Sequence, residues 1–448
     1  MKTDLFEKAS VPKAYFTFAL PVVLSMVVSL VYNMVDTYFI SLTGETNLIA
    51  GVALCAPVFT LMLALGDIFG LGGSSLISRL LGRKDAENAR KVSAFCYCVS
   101  ILCGVAVAAV MLLFTEPILR LLGADSHTFS YARDYYTGLV WGAPAIIFSL
   151  VPSNLLRTEG LAKESMTGNM IGTVVNIILD PLFIFGLNMG AAGAAVATVI
   201  GNVCADVFFV WVTYKKSHQL SFSPKLCHVT KKQMGQIMVI GIPASITNLM
   251  QSVGVMLMNR YLLPYGSDCI AAMGIVLKIT MIAILILVGF SFGAQPLFGY
   301  HYGAGNTRRL WKILRFAYGF EGALALGLTV VLALLAPQLT SLFLKDQALV
   351  GMATEMLQWQ VSSMVFVAIG LVTTCLFQSM GKALGAFLLS ISRQGVLFAL
   401  AVAVGSAVGG YTGVIVAQPA ADVLTALLAV ALVVTVIASE RKKLVLGE

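Results

Sequence analysis

The sequence predicts an all-α integral membrane protein, with twelve transmembrane helices in two pseudo-symmetric six-helix bundles. Three observations predict it. The first is composition: 58% of the 448 residues are hydrophobic and 11% are charged, whereas a soluble globular chain carries roughly 25% charged residues. The second is the length of the apolar runs, such as 99–114 and 281–292 within longer apolar stretches, which suit spans of about 20 residues and show no strand alternation. The third is an internal repeat. Pro21 matches Pro243, Gly82 matches Gly303, Gly160 matches Gly381 and Gly193 matches Gly413, at offsets of 222, 221, 221 and 220. A steady offset across four landmarks means two halves of six helices each. Six is even, so the halves are parallel repeats, a pattern that marks secondary transporters.

Polar breaks divide the chain into helices at 12–40, 49–78, 92–113, 130–156, 166–187, 192–214, 234–263, 270–300, 310–334, 355–380, 386–407 and 412–437. These are helices 1 to 12 below. Two lobes are expected, 1–222 with the cation site and 223–448. Charge sorting tests the count. With both termini cytoplasmic, 24 of the 29 Lys and Arg fall on inside segments, among them Arg79, Arg83, Lys84, Arg157, Lys215, Lys216, Arg308, Arg309, Lys382, Arg393 and Arg441. Only Arg120, Arg133, Arg260, Lys278 and Lys345 fall elsewhere. Missing one span near the middle would destroy that bias. The net charge of +8 therefore reports topology in a bacterial cell (inner) membrane, not nucleic-acid binding. The polar start and long first apolar run argue against a cleaved signal peptide. The segment KKSHQLSFSPKLCHVTKK between the halves reads as a solvated loop.

Ionisable groups in hydrocarbon cost on the order of 3 kcal/mol, so they are rarely accidental. Asp36 in helix 1, Asp180 in helix 5 and Thr198 in helix 6 each lie six to eight residues from an external helix end. All three thus fall roughly 10 Å below the outer surface. Asn176 shares a helix face with Asp180 one turn deeper. Asp36, Asn176, Asp180 and Thr198 are an oxygen-rich set suited to Na⁺ or H⁺, and two close carboxylates seldom ionise together. Pro181 removes a backbone bond beside the acid and invites a kink. Asn33, Asn202, Asn248, Gln251, Asn259 and Asp422 are expected to line a substrate cavity. Asn248, Gln251, Ser252 and Asn259 form one face of helix 7. Asp67 is expected at the inner edge of helix 2, Asp206 as a structural group near the inside, Glu321 as a packing or lipid-edge residue, and Lys278 as a snorkelling one.

Other chemistries lack their residues. The eight cysteines have no metal or disulfide spacing, and the four histidines lie in or beside loops. No GxxxxGK[ST] loop is present, and no Ser, Cys or His constellation suggests an enzyme. Transport is then powered by an ion gradient, without a cofactor and with no metal beyond a transported Na⁺.

The first-helix stretch PVVLSMVVSLVYNMVDTYFIS, the loops GRKDAENARK and GAGNTRR, RTEG at 157–160, NIILDPLFI and AAGAAVAT together resemble the multidrug and toxic compound extrusion (MATE) family over the whole chain. The resemblance implies two six-helix lobes arranged in a V, drug:cation antiport by alternating access, and cation coupling at Asp36, Asn176, Asp180 and Thr198. Acids that one branch carries on helices 7 and 10 are missing. The chain is thus more similar to the bacterial multidrug branch named for DNA-damage-inducible protein F, or to its staphylococcal-type relatives. The expected cargo is amphipathic, often cationic drugs or toxic organic cations, moved by a monomer within the lipid bilayer. The alternative is a lipid-linked saccharide flippase of the same superfamily. Its anionic cargo calls for a basic cavity, whereas the mid-membrane residues read as acidic or neutral.

Overall fold

The computed structural model describes residues 3–446, with the side chains of Thr3, Asn248, Leu249 and residues 437–446 outside the described set. Among the described residues, nine helices are long and apolar enough to cross a membrane. Two further pairs, Phe129–Trp141 with Ala143–Thr158 and Gln347–Ser362 with Met364–Met380, are bent by 51° and 42° and form helices 4 and 10. The apolar stretch Ala383–Val436 counts as one of the nine, but at 54 residues it is far too long for one crossing. The backbone leaves helical geometry inside it at Gly410 (φ 54°, ψ −130°). That break separates helices 11 and 12 and completes twelve spans. Gly410 adopts a left-handed φ that a β-carbon would strain. Beside it, any side chain on Gly413 would overlap the carbonyl of Gly405. The remaining spans are helix 1 (Val11–Ser41), helix 2 (Thr46–Gly82), helix 3 (Ala86–Leu113), helix 5 (Ala162–Gly186), helix 6 (Gly190–Lys216), helix 7 (Lys231–Tyr265), helix 8 (Ser267–Gly303) and helix 9 (Thr307–Leu334). The chain is a multi-pass membrane protein.

Two compact units divide the chain. The first is Met1–Ser245 with Gly299–Asn306, and the second is Ile246–Phe298 with Thr307–Glu448. The first unit therefore holds the opening half of helix 7, tied by the Ser245 hydroxyl to the Ala64 carbonyl at 2.6 Å. It also holds the last turn of helix 8. There Tyr300 donates to Glu7 of the short N-terminal helix Thr3–Glu7 at 2.8 Å. Phe6 is wholly buried against Phe18 and Tyr300, with ring centroids 4.9 and 4.6 Å away.

Three expectations need correcting and one is narrowed. Asp67 is not at the inner edge of helix 2, because the helix runs on to Gly82, roughly 22 Å further at about 1.5 Å per residue. Of the two readings given for Glu321, packing fits and the lipid edge does not: it is completely buried (0% exposed). Arg393 is not on a loop. It stands in a π-helical turn, Ser392–Val396, inside helix 11, and its Nε meets Asp422 at 2.9 Å. The segment after helix 6 is not simply solvated. Phe222 stacks on Tyr97 at 4.0 Å, Leu220 is buried, and the amides of His218 and Gln219 donate to Glu159 at 3.2 and 2.5 Å.

Candidate cation site

Helices 1, 5 and 6 pack together in the first unit. Helices 5 and 6 approach closely because Gly172 and Gly201 face each other. A β-carbon on Gly201 would lie 2.6 Å from the Gly172 carbonyl and 3.1 Å from Asn176 Cβ. Small residues allow such close helix contacts in membranes. One turn above the crossing, Asn176 Nδ2 donates to Thr198 Oγ1 at 3.2 Å. Thr198 donates to the Ala194 carbonyl at 3.0 Å, and the Tyr32 hydroxyl lies 3.4 Å from the same Thr198 oxygen. Asp180 is fully buried, and Asn176 and Thr198 are nearly so. Asp36, half-buried, lies within electrostatic reach of Asp180.

The four residues Asp36, Asn176, Asp180 and Thr198 thus share one region. Their hydrogen-bond balance is lopsided. Four shielded oxygens, Asp36 Oδ1, Asn176 Oδ1 and both Asp180 carboxylate oxygens, have no donor among the described residues. Buried acceptors without donors cost about 1–3 kcal/mol each, more if charged. A proton or a small cation removes that cost; an anion or a neutral acceptor does not.

The helix following Asp180 changes register. Pro181 has no amide hydrogen, and the next five residues, Leu182–Gly186, form a π-helical turn closed by Leu187 N to Leu182 O at 2.9 Å. Single π turns recur at functional sites in helices. The expected irregularity beside the acid is therefore a wider turn.

Two tyrosines were missed in the sequence. Tyr32 and Tyr135 both lie within electrostatic reach of Asp36 and Asp180. Tyr32 was findable, since it is one helical turn from Asp36 on the same face. Tyr135 arrives from helix 4 and carries no local signal.

The cavity candidates belong to both units. Asn33 is exposed and back-bonds to the Ser29 carbonyl at 2.7 Å, and half-buried Asn202 does the same to Thr198 at 2.8 Å. Gln251 is exposed and Asn259 half-buried, while the side chain of Asn248 lies outside the described residues. Asp422, in the second unit, is occupied by three donors: Ser363 Oγ at 2.7 Å, Arg393 Nε at 2.9 Å and Gln418 Nε2 at 3.2 Å.

The MatE family model matches residues 21–182 and 243–403. Those two stretches begin at the paired prolines Pro21 and Pro243. Multidrug export protein MepA from Staphylococcus haemolyticus is 33% identical over 428 residues, covering 96% of this chain and 94% of that protein. Among solved structures, a MATE protein in complex with MaD3S superposes with a TM-score of 0.93 at 26% identity, over 99% of both chains. An outward-facing multidrug resistance MATE family transporter of the MOP superfamily gives 0.92 at 25% identity, again over 99% of both. With the repeat, the twelve spans and the acids within helices 1 and 5 in hand, the family follows: the chain belongs to the MatE (MATE) family of transporters.

Proposed function

We propose that this protein exports amphipathic, often cationic compounds across a bacterial cell membrane by antiport with inward-moving H⁺ or Na⁺, both termini lying in the cytoplasm. The observation that carries the proposal is the donor-free oxygen cluster of Asp36, Asn176 and Asp180, steadied by Thr198. A relative named as a multidrug export protein supports the drug cargo. In this reading the first half binds and releases the cation, and the two matched halves alternate access to the two sides. Filling the cluster with a cation neutralises it and releases the need for other donors. Emptying it leaves buried charge that a cationic drug or the next cation compensates. The π turn after Asp180 is a site where helix 5 changes register with little loss of backbone bonding.

Asp36→Asn keeps the shape of the acid and removes its ionisation. Cells expressing it at normal levels are expected to lose resistance to ethidium-like cations. Persistent resistance at wild-type expression would refute the coupling assignment. Proteoliposomes given a Na⁺ gradient alone, then a pH gradient alone, identify the ion by which gradient moves dye.

A further inference from the structure

The connection between helices 6 and 7, residues 217–230, lies along helix 3 in a fixed register and brings two cysteines together. Arg90 Nη2 donates to the His218 carbonyl at 2.6 Å. The Ser221 amide donates to Ser93 Oγ at 3.0 Å, and Phe222 stacks on Tyr97 at 4.0 Å. On the way back, Gln233 Nε2 at the start of helix 7 donates to Asn88 Oδ1 at 3.1 Å. Between these anchors, Cys227 Sγ lies 2.7 Å from Cys98 Sγ of helix 3 and 3.4 Å from the Ala94 carbonyl oxygen. A disulfide bond is about 2.0 Å long, so the two sulfurs stand about 0.7 Å from bonding distance. Both residues are half-buried free thiols. They are 129 residues apart in the chain, which is why cysteine spacing gives no hint of the pair.

Helix packing alone does not call for a thiol at Cys98. At the 221-residue offset the second half carries Tyr318 for Tyr97 but Gly319 for Cys98. A β-carbon on Gly319 would meet nothing within 4 Å among the described residues. That position is open on helix 9, whereas on helix 3 it holds a sulfur that faces the sulfur of the connection. With the connection on the cytoplasmic side, as proposed above, a permanent disulfide is not expected; in reducing compartments such bonds are mostly transient and redox-sensing. We propose that Cys98 and Cys227 form a peroxide-sensitive dithiol whose reversible disulfide staples the connection to helix 3. The Cys98 sulfur attacks one oxygen of hydrogen peroxide, the O–O bond breaks, and the thiol proton leaves with the second oxygen as water. The Cys227 sulfur then displaces the hydroxyl of the Cys98 sulfenic acid. The S–S bond forms, the S–O bond breaks, and the Cys227 proton leaves with the hydroxide as water. Two thiols are thereby oxidised to one disulfide, and one peroxide is reduced to two waters. A small thiol reductant reopens the bond by exchange. Burial, and then Cys98 beside it, push the Cys227 thiol up to about 12. The thiolate is the nucleophile, so Cys98 reacts first and Cys227 resolves.

The staple acts on the connection itself and needs no transported cargo. In the test, the detergent-solubilised full chain is treated with hydrogen peroxide, quenched with catalase, denatured and alkylated. Mass spectrometry is expected to find six alkylatable thiols in place of eight, and eight again after dithiothreitol. Trypsin should release peptide 92–120 joined to peptide 226–231, with fragmentation placing the bond at Cys98 and not at Cys96 or Cys103. Cys98→Ser and Cys227→Ser should each lose the joined pair, and Cys227→Ser should accumulate a dimedone-trapped sulfenic acid at Cys98. Hydrogen exchange across 221–230 is expected to slow in oxidised wild type and to recover on reduction. Retention of all eight thiols, a bond through any other cysteine, oxidation that dithiothreitol does not reverse, or a formed bond with unchanged exchange would overturn the inference. Fragmentation and exchange of the wild-type protein decide the matter where a serine variant fails to fold.

Discussion

Removing Arg393 while keeping Asp422 is the sharpest test of what holds the second unit together. The pair is asymmetric: the Arg393 side chain is 18% exposed and the Asp422 side chain 3%. Breaking a buried ion pair by deleting one partner costs about 3–5 kcal/mol, because the survivor is left charged and dry. In Arg393→Ala the survivor is the drier partner. Ser363 and Gln418 still donate to it at 2.7 and 3.2 Å, which places the expected loss at the low end, about 3 kcal/mol. That is roughly a hundredfold in the folding equilibrium. Asp422→Asn leaves Arg393 with some access to water and an amide oxygen to bond, so its cost is smaller, about 1–2 kcal/mol. Replacing both by leucine removes the charges together and is expected to recover most of the loss, since apolar replacement of buried pairs is often neutral. Denaturant titration of the detergent-solubilised protein, followed by tryptophan fluorescence, ranks the variants. A double variant as unstable as Arg393→Ala, or an Arg393→Ala protein as stable as wild type, would refute the reasoning. The pairing also bears on cargo. The one arginine set deep within helix 11 is matched by an acid, so it does not supply the basic cavity that an anionic lipid-linked sugar requires.

Gly201→Ala places a methyl against the Gly172 carbonyl and Asn176. Overpacking of this kind costs about 1–3 kcal/mol, and should appear as lowered thermal stability together with weakened ion-coupled dye transport. Glu159→Ala removes the acceptor for the His218 and Gln219 amides. About 1–3 kcal/mol of local stability is lost, measured as faster limited proteolysis within 217–230. Asp125, in the connection before helix 4, has its carboxyl held below the usual carboxylate range, first by the Thr128 hydroxyl and then by the Thr128 amide. A depressed folded value means that its contribution is present above the ordinary carboxylate range and lost as pH falls through the depressed value. Hydrogen exchange at the start of helix 4 should therefore rise in that acid window in wild type and at higher pH in Thr128→Ala.

The spans were legible because hydrocarbon leaves the chain few choices. Apolar runs bounded by basic loops place most helix ends to within about four residues, though helix 3 begins at Ala86 and helix 10 at Gln347, six and eight residues before the expected starts, and the break between helices 11 and 12 was visible as Gly409-Gly410. Bends were less so. Trp141-Gly142-Ala143-Pro144 announces the turn in helix 4, but the bend at Ser363 follows no proline or glycine. The convergence of Asp36, Asn176, Asp180 and Thr198 could be read from depth, since three were counted from helix ends on one side and Asn176 by one turn from Asp180. Depth says nothing about azimuth. The lipid-edge alternative for Glu321 and the inner-edge reading of Asp67 failed for related reasons. An isolated acid in a long apolar helix shows neither which neighbour its face meets nor where the helix stops. Glu321 finds Ser291, and helix 2 continues for several turns past Asp67. Arg393 exposes the limit of charge sorting. That method assumes each lysine or arginine in a short polar stretch marks a loop, and it fails when the partner is 29 residues away on another helix. The same reasoning explains the two missed tyrosines. Tyr32 shares its helix with Asp36, so periodicity alone links them. Tyr135 belongs to the site through the packing of helix 4 against helix 6. In a bundle of nearly uniform apolar helices, function therefore hides in which small residues let two helices touch, and Gly172 with Gly201 was the clue that composition could not weigh.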